Sequence, residues 1–398
     1  MPTHQPQIAE HNKQKRLKKK EISGLRNYTF FRMEQTKILI TGASGFIGSF
    51  LCEEALRRRM STWAGMRYGS SRRWLQSEWL KFATLDMGKP DILEQQLKSF
   101  KDKYGKWDII IHAAGATKCL HKEEFDQINY GCTRNLVEAL IKLDMVPEQF
   151  IYLSSLSVMG PIREKKVHPH TVQLPLDAEP ECDFIKNYTV RNSVYEAINE
   201  QDVPQPNTAY GESKIKSEEY LKSLGNDFPV VIFRPTGVYG PRERDYFLAA
   251  KSIASHIDFS VGYKPQEITF VYVRDLVGAV FAAIDRRIKN RTYFVSDGYV
   301  YTSRTFSKLV QRELKIGFLL HIKAPLFVLR AVSAIAEMYS RLTGKASTLN
   351  NDKYKIMKQR NWNCEISPMI HELGYIPQWN LERGVEETIN WYKKEKWI

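Results

Sequence analysis

One stretch restricts the fold of this chain more than any other. Lys37-Ile-Leu-Ile-Thr41 is an apolar run of strand length. It passes without a break into Thr41-Gly-Ala-Ser-Gly-Phe-Ile-Gly48, and Ser49-Phe-Leu-Cys-Glu-Glu-Ala-Leu-Arg57 continues as a helix. Strand, glycine turn and helix N-terminus in that order make a diphosphate site. Gly42 permits the tight turn, Gly45 lets the backbone approach phosphate oxygens, and Gly48 lets helix and strand pack closely. Ser44, Phe46 and Ile47 lie between these glycines and are expected among the cofactor contacts. The plainer alternative is a glycine turn in an ordinary βα unit.

From Lys37 to about Val238 the chain alternates strand and helix, which predicts an α/β fold: a Rossmann-type doubly wound parallel sheet. Strands are expected at 37–41, 62–67, 81–85, 108–113, 149–155 and 229–234. Beyond Tyr239 the alternation becomes irregular, as expected of a smaller C-terminal substrate-binding lobe. The expected division is a basic arm over 1–32, a dinucleotide-binding domain over 33–240 and a mainly substrate-binding lobe over 241–398. A chain of 398 residues, 43% of them hydrophobic, can bury such a core.

Tyr210-Gly-Glu-Ser-Lys214 carries the chemistry. On a helix, residues four apart share a face, so a phenol and an ammonium stand together. An adjacent ammonium favours phenolate and is expected to lower the phenol pKa, giving a proton donor and acceptor for alcohol–ketone interconversion. The plain reading is a surface helix pair.

Several further blocks follow one another in order. They are Asp86-Met87, Asp108-Ile-Ile-Ile-His-Ala-Ala-Gly115, Asn129 within Ile-Asn-Tyr-Gly-Cys-Thr-Arg-Asn-Leu136, Phe150-Ile-Tyr-Leu-Ser-Ser-Leu-Ser-Val-Met-Gly160, Phe233-Arg-Pro-Thr-Gly-Val-Tyr-Gly-Pro241 and Phe270-Val-Tyr-Val-Arg-Asp-Leu276. Together with the glycine turn and the Tyr-Lys pair they resemble the extended short-chain dehydrogenase/reductase family, also called the NAD-dependent epimerase/dehydratase family, from about Lys37 to the C-terminus. The resemblance implies that Ser155, Tyr210 and Lys214 form the catalytic set and that Asn129 braces it. It also implies that Asp86 and Met87 flank the adenine, that Ala113, Ala114 and Gly115 pass beneath the nicotinamide ribose, and that Pro235, Thr236 and Val238 belong to the segment covering the nicotinamide. Lys214 would also hold the nicotinamide ribose.

An acid at the end of the second strand would accept the ribose hydroxyls and mark NAD. None occurs between Glu54 and Glu78; Arg67, Arg72 and Arg73 cluster there with Ser70 and Ser71. Guanidinium and hydroxyl groups suit a 2′-phosphate, so NADP(H) is the expected cofactor and NAD(H) the alternative.

Family members that remove water from sugar nucleotides carry an Asp-Glu pair after the serine or threonine; here Leu156 and Ser157 stand there, which argues against that dehydration. Gly240-Pro-Arg-Glu-Arg-Asp-Tyr-Phe-Leu248 and the block from Leu373-Gly-Tyr-Ile-Pro377 through Trp391-Tyr392 resemble the hydroxysteroid dehydrogenase and keto-lipid reductase branch. No counterpart is seen of the arginine motif that grips a nucleotide diphosphate in the sugar enzymes. The expected activity is alcohol–ketone oxidoreduction on a hydrophobic, lipid-like substrate, with a 3-oxo sphingoid base (3-dehydrosphinganine) or a sterol-like ketone as candidates. The alternative is a sugar-nucleotide epimerase or 4-reductase. A catalytically silent cofactor-binding scaffold would need a broken Ser-Tyr-Lys set.

Leu326, Leu329, Val332, Ile335, Ala336, Tyr339 and Leu342 recur at helical spacing between Pro325 and Gly344. Lys323, Arg330, Glu337 and Arg341 interrupt them, which excludes a membrane span. An amphipathic helix packed on the core is expected; the alternative is that it and Gly317-Phe-Leu-Leu320 line a greasy pocket or touch a membrane surface. Ser155 and Tyr210 are 55 positions apart, about twice the usual family spacing, and the extra material at about 163–197 reads as a lid, a partner surface or a passive loop.

Residues 1–32 carry a net charge of +6 out of +14, from eight Lys or Arg against Glu10 and Glu21. The segment reads as a disordered basic arm or as sequence upstream of a working start at Met33. Five scattered cysteines and the lone His168-Pro-His170 pair predict neither disulfides nor a metal and fit a reducing cytoplasm. The expected partner is a small hydrophobic substrate, with peripheral membrane contact at its inner face and homodimerisation as further expectations, and no nucleic acid.

Overall fold

Seven parallel strands form the central sheet: β1 (Lys37–Thr41), β2 (Ser61–Met66), β3 (Lys81–Thr84), β4 (Ile109–His112), β5 (Gln149–Leu153), β6 (Val230–Pro235) and β7 (Arg291–Val295). Their order is β7-β6-β5-β4-β1-β2-β3, the doubly wound arrangement. This computed structural model describes residues 36–172, 190, 192–343 and 350–398. The basic arm and the middle of the long segment between Ser155 and Tyr210 lie outside the described residues.

Both faces of the sheet are covered, so its strands are apolar at successive positions rather than at alternate ones. Side chains nevertheless alternate between two cores. Ile38 and Ile40 face one core and Leu39 the other; Ile151 and Leu153 face the first, Phe150 and Tyr152 the second. Helices α1 (Phe46–Arg57) and α5 (Val273–Asp285) close the first face through Leu51, Ala55, Leu276 and Phe281. Helices α2 (Pro90–Tyr104), α3 (Cys132–Lys142) and α4 (Ala209–Ser223) close the second through Leu97, Leu136, Leu140 and Leu221.

The six expected strands all form, and β7 is an addition. It and α5 come from beyond residue 240, so that part of the chain also completes the dinucleotide-binding sheet. Other parts of it, among them residues 257–269 and 353–362, border the site on its other side, and the last two helices, Ser367–Leu373 and Leu381–Lys394, pack in the first core. Ile257–Val261 pairs in parallel with Leu320–Ala324, and α6 (Leu326–Thr343) follows.

The packing of α6 follows its periodicity only in part. Leu329, Ser333 and Ser340 are buried, whereas Val332, Ile335, Tyr339 and Leu342 are exposed. Helical spacing identifies a stripe but not which medium it meets. No described helix is long and apolar enough to cross a membrane.

The described ends of the 163–197 segment are firmly held. Arg163 donates to Asp202 at 2.6 Å, and Asn361 Nδ2 bonds the Arg163 and Glu196 carbonyls at 3.1 and 2.9 Å. Ser193 Oγ and the Val194 amide both donate to the Glu267 carboxylate, at 2.6 and 3.0 Å.

Candidate active site

At the switch point, where β1 and β4 send their connections to opposite faces, the chain opens a cleft of about 570 Å³. Gly42 has φ +67°, and a Cβ there would lie 2.7 Å from the Ala114 amide nitrogen. A Cβ on Gly48 would lie 2.2 Å from the Gly42 carbonyl oxygen. The turn therefore needs glycine for φ at the first position and for helix–strand approach at the last. Helix α1 begins with Gly45 as its N-cap and has no side-chain cap, which leaves first-turn amides for an anion. A glycine cradle against an open helix start fits a dinucleotide diphosphate.

Gly42, Ser44 and Gly45 line this cleft, and so do Asp86, Met87 and the Ala113–Gly115 segment. Phe46 and Ile47 do not. They pack toward the core, Phe46 meeting the Phe50 ring edge-on at 6.0 Å. Of the basic cluster, Arg67 and Ser70 line the cleft. Arg72 instead stacks on Phe82, 4.0 Å from the ring centroid, and Arg73 lies 3.6 Å from Glu395. Adjacent arginines after a strand point different ways, and here only one of the three faces the cleft. The opposite wall is a π-helical turn over Asp126–Gly131 and the start of α3, whose Asn135 Nδ2 donates to the Met87 carbonyl at 2.9 Å.

The other expected residues meet where β5, α4 and that π-turn converge. Ser155 follows β5 and caps a short 3₁₀ turn, accepting the Ser157 amide at 3.2 Å. Thr208 caps α4, which places Tyr210 in the first turn and Lys214 one turn later on the same face. A Cβ on Gly211 would lie 2.5 Å from the Ser157 carbonyl, so glycine between them lets the helix sit against the serine loop. Asn129 is buried: its Oδ1 accepts the Ala116 amide at 2.8 Å and its Nδ2 donates to Ser213 Oγ at 2.9 Å. A Cβ on Gly115 would touch both Asn129 Oδ1 and Lys214 Nζ, at 2.9 and 3.4 Å. The π-turn aims Asn129 inward.

Lys214 Nζ donates to the Leu153 carbonyl at 2.7 Å and lies 4.7 Å from the Tyr152 ring centroid. Burial lowers its pKa to about 8, with Glu218 opposing the shift. Tyr210 moves the other way from the sequence expectation. Burial raises its phenol pKa, and the nearby Ser155 hydroxyl, which favours phenolate, offsets this only in part. Desolvation penalises the charged form and is the larger of these two effects. Tyr210 is thus a proton holder at neutral pH.

Next to Ser155 a second pocket, about 370 Å³, opens away from the dinucleotide cleft. Leu156, Tyr246, Val261, Ile356, Met357 and Trp362 supply most of its apolar wall, and Pro235 and Thr236 line it too. Val238 packs against the core instead. In the pocket wall, Ser260 Oγ lies 3.1 Å from His321 Nε2, whose Nδ1 is 2.8 Å from buried Asp258.

Three supporting residues escaped sequence reasoning. Buried Glu218 pairs with Arg234, Nη2 to Oε2 at 2.6 Å, and accepts Ser154 Oγ at 2.5 Å. Buried His112 bridges Thr41 and Thr133, at 2.8 and 3.0 Å, and burial lowers its pKa to about 3. Glu218 follows Lys214 by one helical turn, a spacing that could have drawn notice; His112 carried no signal beyond its place in β4.

A doubly wound sheet, a glycine cradle at its switch point and a Ser-Tyr-Lys cluster beside it define the nicotinamide-dinucleotide enzymes of the short-chain dehydrogenase/reductase class. Residues 38–296 match the sequence profile of the NAD dependent epimerase/dehydratase family, and the chain belongs to that family. It is similar to sterol-4-alpha-carboxylate 3-dehydrogenase (decarboxylating) of Candida albicans, 24% identical over 90% of this chain and 98% of that one. It is equally similar to dTDP-L-rhamnose 4-epimerase of Burkholderia thailandensis, 24% identical over 90% and 95%. The structure of Bacillus anthracis dTDP-glucose 4,6-dehydratase in complex with NAD shares the fold, with a TM-score of 0.64, 16% identity and coverage of 91% and 98%.

Proposed function

We propose that this chain is an NADP(H)-dependent oxidoreductase that interconverts a ketone and a secondary alcohol on a hydrophobic, lipid-like substrate. The character of the pocket at Ser155 carries the proposal. Its walls mix apolar side chains with the neutral polar groups of Ser157, Gln266, Thr269 and Ser303, and among its described lining residues the one cation is Lys353, whose Nζ stands 3.7 Å from Asp245. A nucleotide diphosphate carries two charges that ask for paired cations, preferably arginines. A pocket of this size whose described lining offers one cation suits an uncharged organic body instead. The likeness to a sterol dehydrogenase agrees with that reading, and the equal likeness to dTDP-L-rhamnose 4-epimerase agrees with the alternative.

When bound, the nicotinamide supplies the hydride. The chain's own residues position the substrate and move the proton. Ser155 holds the substrate oxygen by hydrogen bonding, and Tyr210 delivers a proton to it. A phenol that holds its proton at neutral pH can donate it to the substrate oxygen during carbonyl reduction. Lys214 holds the nicotinamide ribose, and Asn129 fixes the floor between Lys214 and Gly115. Arg67, with Ser70, receives the 2′-phosphate. Leu156 and Ser157 occupy the positions after Ser155, and neither side chain can act as the acid or base that a 4,6-dehydration requires.

The test is NADPH oxidation against 3-dehydrosphinganine, 3-ketosteroids and sugar nucleotides. Reduction of at least one keto-lipid or ketosteroid is expected. NADPH oxidation confined to keto sugar nucleotides would overturn the proposal in favour of a 4-reductase, and isomerisation of a sugar nucleotide, read by chromatography because it consumes no NADPH, would overturn it in favour of an epimerase.

A further inference from the structure

The outer face of α6 and the strand before it are apolar in a way that water does not favour. The helix buries Ser333 and Ser340 and turns outward Phe327, Ile335, Met338, Tyr339 and Leu342, each at least 60% exposed. Phe318, Leu320 and Ile322 are exposed on the segment before it, Phe259 is exposed on the paired strand Ile257–Val261 opposite Ile322, and Tyr263 is exposed just after that strand. An amphipathic helix in water turns its large apolar side chains inward. Here Ser333 and Ser340 share the inner face with Leu329 while most of the large apolar groups are outside, on two elements consecutive in the chain.

The charges around this surface have one sign. Lys264, Lys315, Lys323 and Arg330 are exposed on it or beside it. The acids of the same segments are withdrawn: Asp258 is buried against His321, and Glu337 is partly buried and accepts the Asn351 amide at 3.2 Å. Lys323 lays its ammonium 4.9 Å from the Tyr263 ring centroid, keeping its charge at the rim of an apolar surface. A second copy meeting this face about a two-fold axis would bring cations against cations. An anionic interface complements it instead.

The surface also reaches the pocket. Phe259 and Val261 line the cavity that begins at Ser155, and Phe259 is itself 59% exposed. The outer apolar surface and the pocket therefore share a wall.

We infer that α6, together with the strands at 257–261 and 320–324, docks onto an anionic lipid bilayer, and that the substrate passes from the bilayer past Phe259 into the pocket. The apolar side chains lie at the boundary of headgroups and acyl chains, and the lysines and Arg330 meet the headgroups. Delivery of substrate from the bilayer rests on the lipid-like substrate proposed above; docking does not.

The experiment is flotation of the full chain with phosphatidylcholine vesicles, with and without about one-third phosphatidylserine. No substrate or cofactor is added. The wild type is expected to float with the anionic vesicles and weakly with neutral ones. Ile335→Asp with Leu342→Asp should lower the partition at least about tenfold. Both positions are exposed, so folding is expected to persist, as circular dichroism would confirm. The inference is overturned if the wild type stays in the aqueous layer, or if the double variant floats equally well. It is also overturned if the same substitutions abolish a concentration-dependent dimer seen by sedimentation, which would make the face a subunit contact. Reduction of a short, water-dispersed ketone should be the same in wild type and variant. Vesicle binding without turnover of any keto-lipid would retain docking and reject the substrate, whereas ketone turnover without vesicle binding would do the reverse.

Discussion

Glu218 and Arg234 form a buried ion pair behind the candidate site, with Arg234 Nη2 2.6 Å from Glu218 Oε2 and Nε 3.0 Å from Oε1. Ser154 Oγ completes the cluster on the same carboxylate. Ser154 precedes Ser155, Arg234 precedes Pro235, and Glu218 lies one turn beyond Lys214. One carboxylate thus sets the relative placement of β5, β6 and α4. Removing one partner from such a pair strands the other charge in a low dielectric, at about 3–5 kcal/mol. Glu218→Gln should lower unfolding stability by that order, read as a shifted urea midpoint. Glu218→Leu combined with Arg234→Met should lose much less. A Glu218→Gln midpoint equal to wild type would show that the pair carries no such weight.

Tyr210→Phe removes the proton that reduction needs and leaves the ring in place against Phe125, 6.1 Å away between centroids. Turnover of NADPH with the productive ketone should fall by about 10²–10⁴-fold, while cofactor binding by fluorescence titration stays near wild type. Equal losses in both would assign Tyr210 a structural part instead. Burial lowers the Lys214 pKa to about 8, and its ammonium is the proposed hold on the nicotinamide ribose, so reduction should decline as pH rises through that value. Such a profile would be seen in kcat/KM, which reports the free enzyme.

Much of this was legible in the sequence because the signals were local. The glycine turn, the Tyr-Lys spacing and the buried strands each need only a few consecutive residues to be recognised. What escaped depends on long-range packing. β7 lay in a stretch where alternation had broken down, and only pairing with β6 makes Arg291–Val295 a sheet strand. The pKa direction of Tyr210 follows from how completely the surrounding elements enclose it, which neighbours in sequence do not reveal. The orientation of α6 is the clearest case. Leu329 and Val332 belong to one apolar pattern, yet the first is buried and the second exposed.

Arg67 and Arg72 separate a cofactor role from mere basic character. Arg67 faces the dinucleotide cleft, whereas Arg72 is engaged with Phe82. Losing a charge-assisted hydrogen bond costs about 1.5–3 kcal/mol, or roughly tenfold or more in affinity. Arg67→Ala should therefore weaken NADPH binding by at least that factor and change NADH binding little, whereas Arg72→Ala should alter neither cofactor's affinity measurably. Calorimetric titration of both variants with both cofactors would decide, and equal losses of NADPH and NADH in Arg67→Ala would remove the 2′-phosphate assignment.

His112 sets a pH limit on the fold. Its ring lies between two threonine hydroxyls, one on β1 and one on α3, with burial the main cause of a pKa near 3 and Lys214 a secondary one. The unfolded chain takes up the proton near the ordinary value of 6.5. Between those values the unfolded state binds a proton that the folded state refuses, so acid favours unfolding. The stabilising contribution is fully present above about pH 6.5 and is lost as pH falls toward about 3, at about 1.4 kcal/mol per unit. At pH 4.5 the loss from this residue alone amounts to about 2–3 kcal/mol. Acidic side chains add their own slope, so the measurement is a comparison. His112→Gln has no such titration, and its amide can still bond one threonine. Urea midpoints at pH 7 and 4.5 should draw apart by less in the variant than in the wild type. An identical pH slope in the two proteins would mean that His112 accepts its proton without unfolding the chain.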